Sequence, residues 1–228
     1  IKKGFKRDNI FSKNKIRVDW KHFMQGYIIN INRAKNEDLI VTIISKENLQ
    51  TVYRFYGARH GVINLGFKID YELESSYKSS IPRLRDVIHL GFKWITDRNR
   101  LRAWQDFTAL FYQHLKQAED IENFYFHLLD EAALKWDKQN PKRAAIEAYS
   151  KLLKYEGRLH SENICFLCNE KVETDISLIR GFLPTHKECS HTYQINKDAL
   201  KELYINGSSL FLTDKETDRL WYVLLEGL

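Results

Sequence analysis

Two hydrophobic rhythms divide the chain. From Met24 to about residue 92 the apolar positions come in short stretches, β-branched or alternating with polar residues: Gln25 to Ile31, Asp38 to Ser45, Leu49 to Tyr56, Phe67 to Leu73 and Pro82 to Phe92. In the fourth stretch Phe67, Ile69, Tyr71 and Leu73 share one face, and the turn-like Lys35-Asn36-Glu37 separates the first two. This pattern predicts five short strands. From about residue 93 the period lengthens. Trp104, Phe107, Leu110, Phe111 and Leu115 predict one helix, and Phe124, Phe126, Leu128, Leu129, Ala132, Ala133 and Trp136 a second. Asn140-Pro141 ends the second and suits the start of a third, Ala144 to Tyr155, which stops near Gly157. Lys197 to Leu203 predicts a short helix and Thr213 to Leu225 a last one, capped by Thr213 or Asp214 with Glu216 or Thr217 behind it.

Five closely spaced strands followed by helices predict an α+β chain. We expect an OB-fold β-barrel over residues 24–92, then an α-helical domain over residues 93–228 with a zinc-knuckle insertion at 163–190. Residues 1–23 are basic and without period, and Met24 is the only methionine. They are expected to be an N-terminal extension upstream of the natural start; the alternative is a basic arm that follows phosphates. No apolar run approaches the roughly 18 residues of a membrane helix, and no secretory leader is expected.

Charge adds a division of labour. The formal net charge is +6, with residues 1–23 carrying +6, residues 24–103 carrying +5 and residues 104–228 carrying −5. A basic N-terminal part and an acidic C-terminal part need not meet the same partner.

All three cysteines fall in one window. Cys165-Phe166-Leu167-Cys168 is followed, after seventeen residues, by His186-Lys187-Glu188-Cys189. Two knuckles with two ligands each are what tetrahedral Zn²⁺ requires, and a closed set of three thiolates and an imidazole leaves no position for substrate. We therefore expect a structural zinc on Cys165, Cys168, His186 and Cys189 and a reducing compartment. The competing reading is three buried thiols beside a stray histidine. The fourth ligand is the open point, since His191 and His160 are also near in sequence.

The strand region interleaves cations with aromatics. Arg54, Tyr56, Arg59, His60, Lys68, Arg83 and Arg85 alternate with Tyr53, Phe55 and Phe67, and Arg98 opens a further basic cluster with Arg100 and Arg102. A cationic groove with aromatic faces is how such a barrel holds single strands. The plain alternative is barrel core plus a solvated charged face. In the helical half, Lys135, Lys138, Lys142, Arg143, Lys151 and Lys154 lie beside aromatics and suit an acidic, apolar peptide tail, or a solvated face. His89, His114 and His127 read as packed core histidines. Glu37 and Asp38 read as turn-shaping carboxylates. No glycine-rich phosphate loop, nucleophile elbow or H-E-x-x-H motif is present, so no enzyme is expected.

The runs M-Q-G-Y-I-I-N (24–30), N-E-D-L-I-V-T-I-I-S (36–45) and Y-R-F-Y-G-A-R-H (53–60) resemble the N-terminal barrel of the bacterial recombination mediator RecO. With G-F-K-I-D-Y-E-L (66–73), the sequence is similar to the epsilonproteobacterial type. The helical middle and the knuckle position extend the likeness over residues 24–228. It departs from the family at His186, where many relatives carry cysteine, and in a short region after the knuckle. The resemblance implies a cytoplasmic, nucleoid-associated DNA-repair protein without catalysis. Such a protein binds single- and double-stranded DNA, anneals complementary strands, contacts the acidic C-terminal tail of single-strand-binding protein and joins RecR to help load RecA. It also implies a DNA contact at Arg59. A zinc-containing nucleic-acid-binding module of transcription or translation is the alternative.

Overall fold

A computed structural model describes residues 24–77, 79–118 and 120–228; the basic extension 1–23 lies outside the described residues. Five strands close a barrel: β1 (Met24–Arg33), β2 (Leu39–Ser45), β3 (Leu49–Arg54), β4 (Lys68–Ser76) and β5 (Ser79–His89). Their order is β1-β2-β3-β5-β4, and β1 pairs with β4 to complete the ring. All pairs are antiparallel except β3 with β5, which run parallel where Tyr53 faces Arg83. The five expected strands are all present. The fourth runs on past Leu73 to Ser76, and the fifth begins at Ser79 and ends at His89, three residues earlier at each end than its apolar pattern, because β4 and β5 pair as a long hairpin out to Ser76 and Ser79.

The helices are α1 (Arg98–Leu115), α2 (Phe124–Trp136), α3 (Pro141–Tyr155), a short α4 (Lys187–Ser190), α5 (Lys197–Asn206) and α6 (Asp214–Leu225). Their starts follow capping chemistry. The Asp97 carboxylate accepts from the Asn99 and Arg100 amides, so α1 begins six residues before its first buried tryptophan. Asn140 caps α3 with Pro141 behind it, and Thr213 with Glu216 forms a full capping box on α6. One sheet has no counterpart in the sequence pattern: β6 (Ile176–Ile179), β7 (Leu183–Thr185) and β8 (Gln194–Ile195), in the order β7-β6-β8.

Barrel and helices share a wall. Ile28, Val41, Ile43, Val52, Ile69, Tyr71 and Leu84 fill the barrel. The alternate residues Tyr27, Ile29 and Ile44 point out of it, into the core of the helical region. Strands β1 and β2 are therefore buried on both faces, which is why they read as continuous apolar runs. The junction is aromatic: Tyr27 packs on Trp104 and Phe126, and Trp94, Trp104, Phe107 and Trp136 pack on one another at centroid distances of 5.0–6.3 Å. Each indole N–H has a carbonyl: Trp94 donates to Ala133, Trp104 to Gly66 and Trp136 to Arg100. Gly66 has no substitute here. Its φ is +79°, and a Cβ would meet the Trp104 ring at 2.7 Å.

A polar clamp closes the junction. The Tyr27 hydroxyl donates to Asp130 Oδ1 at 2.6 Å, and Lys68 Nζ donates to the same oxygen at 2.7 Å. Lys68 lies 5.1 Å from the Phe126 ring centroid. Burial first, and Asp130 second, push the Tyr27 phenol far above its ordinary pKa.

Candidate nucleic-acid interface and metal centre

The parallel pairing of β3 with β5 gathers most of the expected DNA-contacting residues. Arg83 stands opposite Tyr53, and its guanidinium lies 5.0 Å from the Phe55 ring. Arg54 reaches across to donate to the Leu84 carbonyl at 2.9 Å. Burial lowers the Arg54 pKa, and the nearby Arg85 lowers it further. Arg85 is exposed and pairs with Glu74 at 3.5 Å. Beyond β3, a turn over Gly57–Arg59 carries Tyr56, Arg59 and His60 on the surface. The Arg59 guanidinium lies 5.2 Å from the Tyr56 ring and is ion-paired with Glu37. Two aromatic rings are exposed here, Phe55 at 43% and Tyr56 at 52%, which is far more than barrel core would show.

Two expected residues fall elsewhere. Lys68 leaves the barrel as its alternation requires, but the helices cover that wall. Its side chain is 15% exposed and committed to Asp130. Arg98 is exposed in the first turn of α1, outside the contacts that join the others. His89 stacks on Phe67 at 4.1 Å, and burial lowers its pKa. His114 is partly buried against Glu156 at 2.6 Å. His127, expected in the core, is exposed instead, because α2 buries Phe126, Leu128 and Leu129 on its other side.

The knuckle segment brings four ligand atoms together. Those of Cys165, Cys168, His186 and Cys189 all lie within 4.8 Å of one another. A tetrahedral Zn²⁺ with bonds of about 2.3 Å needs sulfur–sulfur edges of about 3.8 Å, so only a small contraction is required. The first knuckle is a tight turn: the Asn169 amide donates to the Cys165 carbonyl and the Cys165 amide to the Glu170 carbonyl, both at 2.8 Å. The second sits where β7 runs into α4, and the His186 carbonyl accepts from the Cys189 and Ser190 amides. His186 Nδ1 faces the thiols, 3.3 Å from Cys168 Sγ and 3.8 Å from Cys189 Sγ. Its Nε2 lies 3.2 Å from the Lys171 carbonyl, which fixes the proton on Nε2 and leaves Nδ1 for a metal. Burial pushes the Cys165 thiol up, but amides of His186, Cys168 and Leu167 outweigh it and bring the pKa to about 6. Thiolate is the form a metal binds. His191, in a left-handed turn after α4, and His160 are not in the cluster.

A third feature lies between α2, α3 and α5. A cavity of about 390 Å³ has a floor of Leu128, Ala132, Ala148 and Leu203 and a rim of Lys135, Lys151 and Lys154. Lys135 pairs with Glu147 and Lys151 with Glu131; among the described residues Lys154 has no ion-pair partner.

Three carboxylates organise these sites; sequence reasoning missed Asp130 and Glu147 and read Asp38 only as a turn-shaping residue. Asp38, 6% exposed, accepts from the Tyr53 hydroxyl and the Tyr56 amide. Asp130 closes the junction. Glu147, in α3, accepts from Lys135, Gln139 and both the amide and hydroxyl of Ser209.

Residues 24–95 match the family model described as RecO N terminal. That span is the whole barrel with its exit turn, and less than half of the chain. No curated protein matched the chain. Among the described residues, no helix is long and apolar enough to cross a membrane.

Proposed function

We propose that the protein is a recombination mediator of DNA repair. It binds single- and double-stranded DNA, anneals complementary strands and, together with RecR, helps load RecA onto DNA coated by single-strand-binding protein. The observation that carries this reading is the barrel. It matches the RecO N-terminal model and presents exposed Phe55 and Tyr56 among Arg54, Arg59, Arg83 and Arg85. Cations that follow phosphates and rings that stack bases are the means of sequence-tolerant single-strand binding. Such a protein works by holding strands and needs no bond-making residue. Annealing of complementary oligonucleotides tests the reading, along with affinity measured across salt. Affinity should fall steeply as salt rises, and a flat response would refute phosphate contact.

The remaining parts take roles in the same reading. The barrel, 24–92, serves DNA; the helical region, 93–228, serves protein partners. Zinc on Cys165, Cys168, His186 and Cys189 braces the C-terminal half without open coordination. The cavity between α2, α3 and α5 receives the acidic tail of single-strand-binding protein, apolar residues on its floor and carboxylates toward Lys154, Lys151 and Lys135. Binding of a tail peptide by fluorescence anisotropy tests this. Lys154→Glu should weaken it about tenfold, a loss of roughly 1.4 kcal/mol.

A further inference from the structure

The edge of the DNA face is held by two adjacent acids, and their geometry is unlike that of a simple turn. Tyr56 sits at φ 49°, ψ 28°, the left-handed region, where a bulky side chain is a steric outlier and glycine is at ease. The chain nonetheless places tyrosine there, with its ring half exposed. What holds it is the buried Asp38 carboxylate. Oδ1 accepts the Tyr56 amide at 2.6 Å, and Oδ2 accepts the Tyr53 hydroxyl at 2.5 Å. Behind the turn, a Cβ on Gly57 would meet both Leu39 and Arg54 at 2.9 Å, so the turn is pressed against the barrel and has no slack. A left-handed tyrosine held by a buried side-chain oxygen, with its ring aimed at solvent, points to a working position.

The second acid acts on the neighbouring cation. Arg59 covers one face of the Tyr56 ring and is ion-paired with Glu37, itself left-handed at φ 65°. Both partners are well exposed, at 64% and 51% of their side chains. A carboxylate on a guanidinium occupies the place a phosphate oxygen would take.

We propose that Asp38 and Glu37 tune this face for single strands: Asp38 is a positioning residue that locks Tyr56 outward as a base-stacking platform, and Glu37 is an internal counter-anion that phosphate displaces from Arg59. A base stacks on the open face of the tyrosine only if it is unpaired, so the platform favours single strands over duplex. Glu37 makes every phosphate contact of Arg59 an exchange, which weakens binding and keeps it reversible.

This rests on the DNA-binding reading, and the test separates the two. The whole protein is titrated by fluorescence anisotropy against a labelled oligothymidine and a duplex of equal length. Tyr56→Gly should keep or raise the melting temperature, because glycine relieves the left-handed strain. It should lose roughly tenfold in single-strand affinity and much less on duplex. Asp38→Ala should show the same selective loss, and Asp38→Asn, which keeps a carbonyl oxygen for the Tyr56 amide, should restore it. Glu37→Gln should tighten binding by about threefold, and that gain should vanish in an Arg59→Ala background. Equal losses on both substrates, or a Glu37→Gln gain independent of Arg59, would overturn the proposal. If Asp38→Ala does not fold, Tyr56→Gly and the Glu37–Arg59 cycle decide it. Wild type that binds neither substrate would instead remove the DNA-binding reading.

Discussion

At the scale of residues, cations on one barrel do two different jobs. Lys68 is an internal tie, 15% exposed on Asp130, whereas Arg83 lies on the open face over Phe55. Lys68→Ala should lower stability by roughly 1–3 kcal/mol, since it strips a mostly buried carboxylate of its cation, and leave oligonucleotide affinity unchanged. Arg83→Ala should do the reverse. Urea unfolding and anisotropy on both variants check this. The sequence showed Lys68 pointing out of the barrel, but alternation does not tell whether water or a helix lies outside. The metal cluster was legible because ligand spacing is local: both knuckles close within a few residues. Asp38 was legible only as a turn-shaping carboxylate, since its partners are 15 and 18 positions away. Carboxylates also set the acid limit. Burial pushes Glu147, Glu156 and Glu216 up, but their hydrogen-bond donors more than offset it and hold each below the ordinary 4.5. Depressed folded values mean that the stability they supply is complete above about pH 4.5 and is lost as pH falls through those lower values. Thermal unfolding along an acid titration should show this decline, and Glu147→Gln should make it shallower.

At the scale of elements, helix ends carry more than their own helices. Glu216 closes the α6 capping box, and its other oxygen accepts the amide of Asn196, the residue that caps α5. Thr213→Ala should cost about 1 kcal/mol, the usual value of an N-cap. Glu216→Ala should cost roughly 2–3 kcal/mol, because it orphans the amides of two helix starts. Chemical denaturation of the two variants should rank them in that order. The long elements were readable from sequence because amphipathic periods accumulate over many positions. The sheet of β6, β7 and β8 was not, because strands of four, three and two residues hold no period. Helix starts such as Arg98 were hidden for the same reason: polar first turns carry caps, and apolar spacing does not register them.

At the scale of the molecule, the knuckle cluster and the aromatic junction bear on different parts of the fold. If zinc occupies the cluster, chelation should raise amide hydrogen exchange over residues 163–195 and leave the barrel protected. Equal deprotection throughout would show that the metal holds the entire fold. The junction has a different consequence. Residues 24–95 form the unit recognised by sequence comparison, yet Tyr27, Ile29, Ile44 and Trp94 within it belong to the core that α1, α2 and α3 complete. Similarity marks what descends together; the solvent boundary marks what can stand alone, and here the two lines do not coincide. Cut free at residue 95, the barrel would carry a sticky aromatic flank, and sedimentation should find it more self-associated than the whole chain. Any exchange of this barrel between proteins must therefore bring a new lid for that flank, or bring α1 and α2 along.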